Sequence, residues 1–290
     1  MKFITNFLII FIIGYLSSYS QIQLSDDKIN VFIFAGQSNM AGAADASNLT
    51  NVDLKDLENA KENVSFVENG NKSIPLNVTT PAAWKRKKFQ LDSCFGPEIF
   101  FGIELSKKHP NKKFLFIKRS KGGSSLYGCW NPNWTKEKAK YIGELNEPKL
   151  FYELINDVGR ELSKYDKSDY QIMGMLWVQG ESDSSQKWGP LPSDTYRDNL
   201  TNLIKSSRSK FNSSEMPFMI LQVGSKKIGN AMKQVSKELK NVTFIAQNKD
   251  RSSFNYLPRL KDNIHYNYFG MKKIGILFSN NFNKLNNNHK

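Results

Sequence analysis

The chain has 290 residues, 39% of them hydrophobic and 12% aromatic, enough apolar material for one sizeable core and too much for a disordered chain. Its 41 Lys and Arg against 27 Asp and Glu give a net charge of +14, a balance that attracts polyanions. The lysines are scattered, as in Lys85 to Lys88, Lys107 to Lys113 and Lys136 to Lys140, with no nucleic-acid motif between them, so nucleic acid is not the expected partner and general basicity near acidic polysaccharides is.

In chain order, Met1 to Ser20 carries an early lysine, an apolar block from Phe7 to Leu16 and the small-residue stretch Ser18-Tyr19-Ser20. This pattern predicts a secretory signal peptide, hence a secreted or periplasmic protein whose residues 21–290 form a single domain with no further membrane span. Val31–Ala35 is a short β-branched and aromatic run that predicts a strand buried on both faces, followed by the turn Gly36-Gln37-Ser38-Asn39. Residues 39–88 are long, polar and short of periodicity, which predicts an irregular insertion that shapes a cleft. Further strands are predicted at Phe114–Lys118, Ile172–Val178 and Phe218–Val223, with Val64–Val67 and Thr243–Ala246 as weaker candidates. Helices are predicted at Pro97–Lys108, Pro148–Ser163, Ser193–Ser209, Asn230–Leu239 and Tyr268–Phe282. Strands alternating with helices imply a central parallel sheet in a three-layer α/β/α sandwich.

Function in such sheets gathers where strands end. Ser38 follows the first buried run, with backbone N–H groups nearby that could bind an anion. Gly122 and Gly123 follow the run Phe114–Ile117 and let backbone N–H groups approach a ligand without an intervening Cβ. Gln179-Gly180-Glu181-Ser182-Asp183 follows the run ending at Val178. Asp262-Asn263-Ile264-His265 places an Asp three residues before a His, a spacing at which the carboxylate can reach one imidazole nitrogen and leave the other free to deprotonate a serine. His109, beside Pro110 in a Lys-rich turn, and His289, in a polar tail, read as solvated residues. The histidines and cysteines fall in no ligand spacing, so no metal and no cofactor is expected. Asp183 reads more readily as a cap or loop carboxylate than as a catalyst, and Trp177 as core.

Gly36-Gln37-Ser38-Asn39-Met40, the Gly122-Gly123 loop, Trp177 to Asp183 and Asp262-x-x-His265 together resemble the SGNH hydrolases, in particular the sialate O-acetylesterase and acetylxylan esterase (carbohydrate esterase family 6) branch. The four blocks occur in the family's order and span nearly the whole mature chain. The resemblance implies a flavodoxin-like SGNH fold and a serine esterase that removes acetyl groups from a polysaccharide or oligosaccharide, acetylxylan first and O-acetylated sialic acid second. It implies Ser38 as nucleophile, His265 as base and Asp262 as the orienting acid, with Glu181 able to contact His265 instead of, or together with, Asp262. It also implies an oxyanion hole from the Ser38 N–H, Gly123 and Gln179, the glutamine standing where many SGNH enzymes have an asparagine. Gln37, Asn39, Tyr127 and Trp130 are the candidate substrate contacts, the last two in an aromatic loop where stacking on sugar and simple packing are both open. The competing readings are a catalytically silent carbohydrate-binding protein on the same fold and an esterase of lipids or small esters. In an exported chain Cys94 and Cys129 can pair in one way only; a disulfide is the expectation and two buried thiols the alternative.

Overall fold

The structure, a computed structural model, describes residues 23–287; the expected signal peptide and His289 lie outside them. Its centre is β1 (Ile29–Gly36), an almost unbroken apolar run with seven of its eight residues buried, as expected of a strand covered on both faces. β1 lies between β6 (Lys113–Ser120) and β7 (Tyr170–Val178) and is parallel to both. The sheet continues on one side through β3 (Val64–Glu68) to β4 (Ile74–Pro75), and on the other through β8 (Phe218–Leu221) to β9 (Val242–Ile245). Of these seven strands only β4 runs antiparallel to its neighbour. A separate pair, β2 (Ala44–Asp45) with β5 (Cys94–Phe95), closes a loop beside the sheet.

Strand alternation sends successive side chains to opposite faces. Phe32 and Phe34 of β1 face α4 (Glu98–Lys108), with ring centroids 4.9 and 5.5 Å from Phe101, and Phe32 also meets Phe282 of α10 (Tyr268–Asn287) at 4.8 Å. α2 (Asn51–Lys61) packs on α4. Phe34 is paired in register with Leu176, so its neighbour Trp177 points the other way, where it meets Trp130 at 5.2 Å and donates Nε1 to Tyr196 of α8 (Tyr196–Lys210). α6 (Leu150–Leu162) packs on β6, and α9 (Lys226–Glu238) packs on α8 and β9. The short helices α1 (Ser38–Ala41), α3 (Ala83–Phe89), α5 (Lys136–Tyr141) and α7 (Leu191–Asp194) sit in the connections. Helices thus flank both faces of a mostly parallel sheet. No helix among the described residues is long and apolar enough to cross a membrane.

Three expectations are corrected. The segment 39–88 is not irregular: it contains α2, β3 and α3. α2 escapes a periodicity search because Val52 and Leu54 are exposed while Leu57 and Ala60 are buried; its signal is the capping box, in which Asp53 N donates to Thr50 Oγ1 and Thr50 N to Asp53 Oδ2. The predicted helix 193–209 is two helices, α7 and α8, that meet at Thr195. Cys94 and Cys129 are free and buried rather than bridged, because each is held in its own network. Cys94 Sγ lies 3.9 Å from Thr79 Oγ1, and the Cys129 thiol is hydrogen-bonded to the Glu144 carboxylate, whose Oε2 also accepts the Cys129 N–H at 2.8 Å. Burial pushes both thiols up, which suppresses the reactive thiolate. Iodoacetamide followed by mass spectrometry is therefore expected to leave both cysteines unlabelled in the native protein. Both should be alkylated in urea without any reductant; a requirement for reductant would restore the disulfide.

Candidate active site

β6, β1 and β7 are adjacent and parallel, so their carboxyl ends deliver the Gly122-Gly123 loop, Ser38 and Gln179–Asp183 to one edge of the sheet. Gly36 makes the exit from β1 possible, since a Cβ there would lie 2.1 Å from Val178 O. The Gln37 N–H then donates to that same carbonyl at 3.0 Å, and Ser38 opens α1. Ser38 is thereby held by backbone bonds rather than by its own side chain.

Asn39 ties this turn to the distant histidine loop. Its Nδ2 donates to Ile264 O at 3.1 Å and its Oδ1 accepts from Tyr266 N at 3.3 Å, so both neighbours of His265 are bonded to the residue after Ser38. His265 Nδ1 donates to Asp262 Oδ2 at 2.7 Å, and the backbone N–H groups of Ile264 and His265 donate to Asp262 Oδ1, each at 3.0 Å. Lys88 Nζ reaches Asp262 Oδ2 at 2.8 Å. Burial opposes ionisation of Asp262, but Lys88, His265 and the two backbone donors outweigh it and hold the carboxyl well below the usual carboxylate range. An ionised Asp262 requires the proton of His265 to sit on Nδ1, leaving Nε2 as the acceptor. Glu181 is directed elsewhere: its Oε1 accepts from Asn39 Nδ2 at 2.6 Å, and burial pushes its carboxyl up.

Gly122 lies against Ser38, since a Cβ added to it would stand 3.6 Å from Ser38 Cβ and 3.2 Å from the Trp84 ring. Gly123 is left-handed, at φ +74°, with open space where a Cβ would project, so a side chain there would strain the backbone. Beyond this loop is a cavity of about 310 Å³ lined by Lys121, Gly122, Gly123, Ser182, Lys187 and Trp188, among others.

Several residues expected at the substrate are instead structural. Gln179 Nε2 donates to Asp183 Oδ2 (2.6 Å), Ser124 O (3.1 Å) and Gln37 Oε1 (3.3 Å), so its N–H groups are occupied and the expectation of an oxyanion donor is corrected. Gln37 is buried, and its Oε1 also accepts from Ser182 N. Asn39 is buried and spent on the clamp described above. Trp130 is buried against Trp177 with its Nε1 on Ser124 Oγ, which answers the open question for that ring in favour of packing. Tyr127 is 8% exposed and packs against Tyr141. Asp183 is a buried loop carboxylate: it accepts the backbone N–H groups of Leu126 and Tyr127 at 2.8 and 2.9 Å, and burial pushes it up to about 7 despite them.

The residues missed are on α3. Trp84 and Phe89 pack on the His265 ring, with centroids 5.7 and 5.3 Å away, Lys85 is buried with Nζ on the carbonyls of Ala41 and Gly42, and Lys88 is on Asp262. In the sequence they lie in a Lys-rich run that reads as a solvated face; an aromatic at each end of that run, Trp84 and Phe89, was the available signal.

The parallel core of this sheet with helices on both faces, and a serine turn, a glycine loop and an Asp-x-x-His loop at its carboxyl edge, define an SGNH-type α/β hydrolase. The chain belongs to the carbohydrate esterase, sialic acid-specific acetylesterase family, whose pattern it matches over residues 28–284. Membership makes it a hydrolase of carboxylic esters on carbohydrates. Among solved structures it is similar to a protein from Arabidopsis thaliana, with 18% identity, a TM-score of 0.64, and 89% of this chain and 98% of that one covered. NanS is similar at 14% identity and a TM-score of 0.58, over 90% of this chain and 98% of that one. A carbohydrate acetylesterase from Xanthomonas citri is similar at 15% identity and a TM-score of 0.50, over 89% of this chain and 54% of that one. At these identities the likeness is one of fold. A search of curated proteins found no match.

Proposed function

We propose that the protein, exported by way of residues 1–20, is a serine esterase that removes O-acetyl groups from a glycan through an acetyl-enzyme. Ser38 Oγ attacks the acetyl carbonyl as His265 Nε2 takes its proton, and Asp262 stabilises the resulting imidazolium. The negative charge on the carbonyl oxygen is met by the Ser38 N–H and by the Gly122-Gly123 loop, of which Gly123 is the assigned donor; one such donor is typically worth about 3 kcal/mol in the transition state. The sugar alkoxide leaves with the proton from His265, and water, deprotonated by the same nitrogen, releases acetate. The observation that carries this reading is the 2.7 Å contact from His265 Nδ1 to Asp262 Oδ2, made in a loop that Asn39 bonds to the Ser38 turn on both sides of His265.

The cavity beyond the glycine loop supports a sugar rather than a long acyl chain. Lys187 Nζ stands 4.3 Å from the centre of the Trp188 ring, and Lys121 and Ser182 add polar groups. Its volume lies at the small end of ligand pockets, about 300–1,000 Å³. Acetylxylan is the expectation from the style of the motif blocks. Lys187 and the family's description favour O-acetylated sialic acid, whose carboxylate an ammonium group can pair with, whereas Lys121 in the same lining is already paired with Glu147 at 2.9 Å. The test is acetate release from O-acetylated sialic acid, acetylated xylan and 4-nitrophenyl acetate. Faster release from the sialic acid than from xylan is the expected outcome, and the reverse order would return the substrate to xylan. Silence on all three, with glycan binding retained, would indicate a binding protein.

A further inference from the structure

Asp262 Oδ2 is shared. It takes the Nδ1–H of His265 at 2.7 Å and the ammonium of Lys88 at 2.8 Å, and Lys88 is the one lysine or arginine bonded to this carboxylate among the described residues. Two donors on one oxygen compete for the same electron density, and the ammonium charge opposes a second positive charge on the imidazole. We propose that Lys88 is a positioning and tuning residue of the catalytic site, which acts through Asp262 to weaken the hold of His265 on its proton and so keep Nε2 available as a base at lower pH.

The location of Lys88 is built rather than incidental. α3 is anchored one turn earlier by Lys85, whose buried ammonium donates to the carbonyls of Ala41 and Gly42 at the end of the nucleophile helix. Trp84 packs on His265, and its ring is the nearest neighbour of Gly122 on the side where a Cβ would project. Phe89, beside Lys88, packs on His265, and the Lys88 ammonium lies 5.0 Å from the centre of the Phe89 ring. The Lys88 side chain is 46% exposed and that of Asp262 16%, so the pair is screened in part and its effect on the imidazole is moderate.

The other charged groups near this loop bond elsewhere, except that the buried Oε2 of Glu181 has no partner among the described residues. Glu181, after β7, accepts from Asn39, and Arg259 donates to Asn263 O at 2.7 Å and lies over the Tyr266 ring. The Tyr266 hydroxyl accepts from Gln247, and the Lys85 ammonium is spent on the nucleophile turn. Removing Lys88 therefore frees Asp262 for His265 alone, and the imidazolium gains.

The inference rests on His265 acting as the base in the proposed esterase, and the experiment separates the two. The full chain, Lys88→Met and Lys88→Arg are titrated by proton NMR of the histidine ring, with His265→Gln used to assign its signal among the three histidines, and the same proteins are assayed for 4-nitrophenyl acetate hydrolysis across pH. Lys88→Met is expected to move the His265 titration midpoint, and with it the acid limb of kcat/KM, to higher pH by about half a unit. Lys88→Arg, which retains the charge, is expected to titrate with the wild type. A Lys88→Met midpoint identical to the wild type, even with reduced activity, would reduce Lys88 to a support for α3 and overturn the proposal; so would an Arg variant displaced as far as the Met variant. If the wild type hydrolyses no ester, the esterase reading fails while the ring titration still decides the role of Lys88.

Discussion

Ser38→Ala is expected to lower acetate release by about 10⁵-fold or more while leaving the melting temperature within a few degrees of wild type. The large effect follows from covalent chemistry: without Oγ no acetyl-enzyme can form, and removal of a serine nucleophile from a comparable triad costs on the order of 10⁶ in kcat. The small effect on folding follows from how the turn is built. Gly36, the Gln37 N–H on Val178 O and the Gly42 N–H on Ser38 O shape it through the backbone, and the substitution removes one oxygen without opening a core cavity. Initial rates on 4-nitrophenyl acetate together with a thermal melt decide the matter. A variant that folds and keeps more than about one hundredth of the turnover would exclude Ser38 as the nucleophile, because activity from oxyanion stabilisation and binding alone lies far below that level.

Asp262→Asn is expected to lower kcat by about 10³–10⁴-fold, whereas Glu181→Gln should stay within about tenfold of wild type. In the native site Asp262 Oδ1 accepts two backbone N–H groups and Oδ2 faces His265 Nδ1 and Lys88. An asparagine would keep its oxygen on the backbone donors and turn an NH₂ toward His265 and Lys88. The imidazole would then carry its proton on Nε2, the wrong tautomer to act on Ser38, and Lys88 would lose its counter-ion. Glutamine at 181 retains an oxygen for Asn39 Nδ2, so the clamp on the histidine loop survives. Steady-state kinetics of the two variants on one substrate provide the comparison. A severe loss in Glu181→Gln with near-normal Asp262→Asn would transfer the orienting role to Glu181.

What could be read from the chain without coordinates was what short-range pattern controls. A strand buried on both faces must be apolar at every position, so Val31 to Ala35 stood out, and the turn that follows places Ser38 at a strand end. Asp262 and His265 are three residues apart, close enough for local geometry to make their contact readable. The order of strands and helices likewise implied a sheet covered on both sides. Tertiary structure alone decided the roles of the buried polar groups, because a hydrogen-bonding side chain is assigned by whichever partner lies opposite it in space. Asn39 looked like a substrate contact until its bonds to Ile264 and Tyr266 appeared, more than 220 residues away. Gln179 looked like an oxyanion donor until Asp183 and Ser124 occupied it, and the two cysteines looked like partners until each was placed in a separate network. The same reason hid α3. Its lysines give it the profile of a solvated surface, but Lys85 is buried on the nucleophile turn and Lys88 sits on Asp262, contacts that exist only after residues 43 and 174 positions apart are brought together.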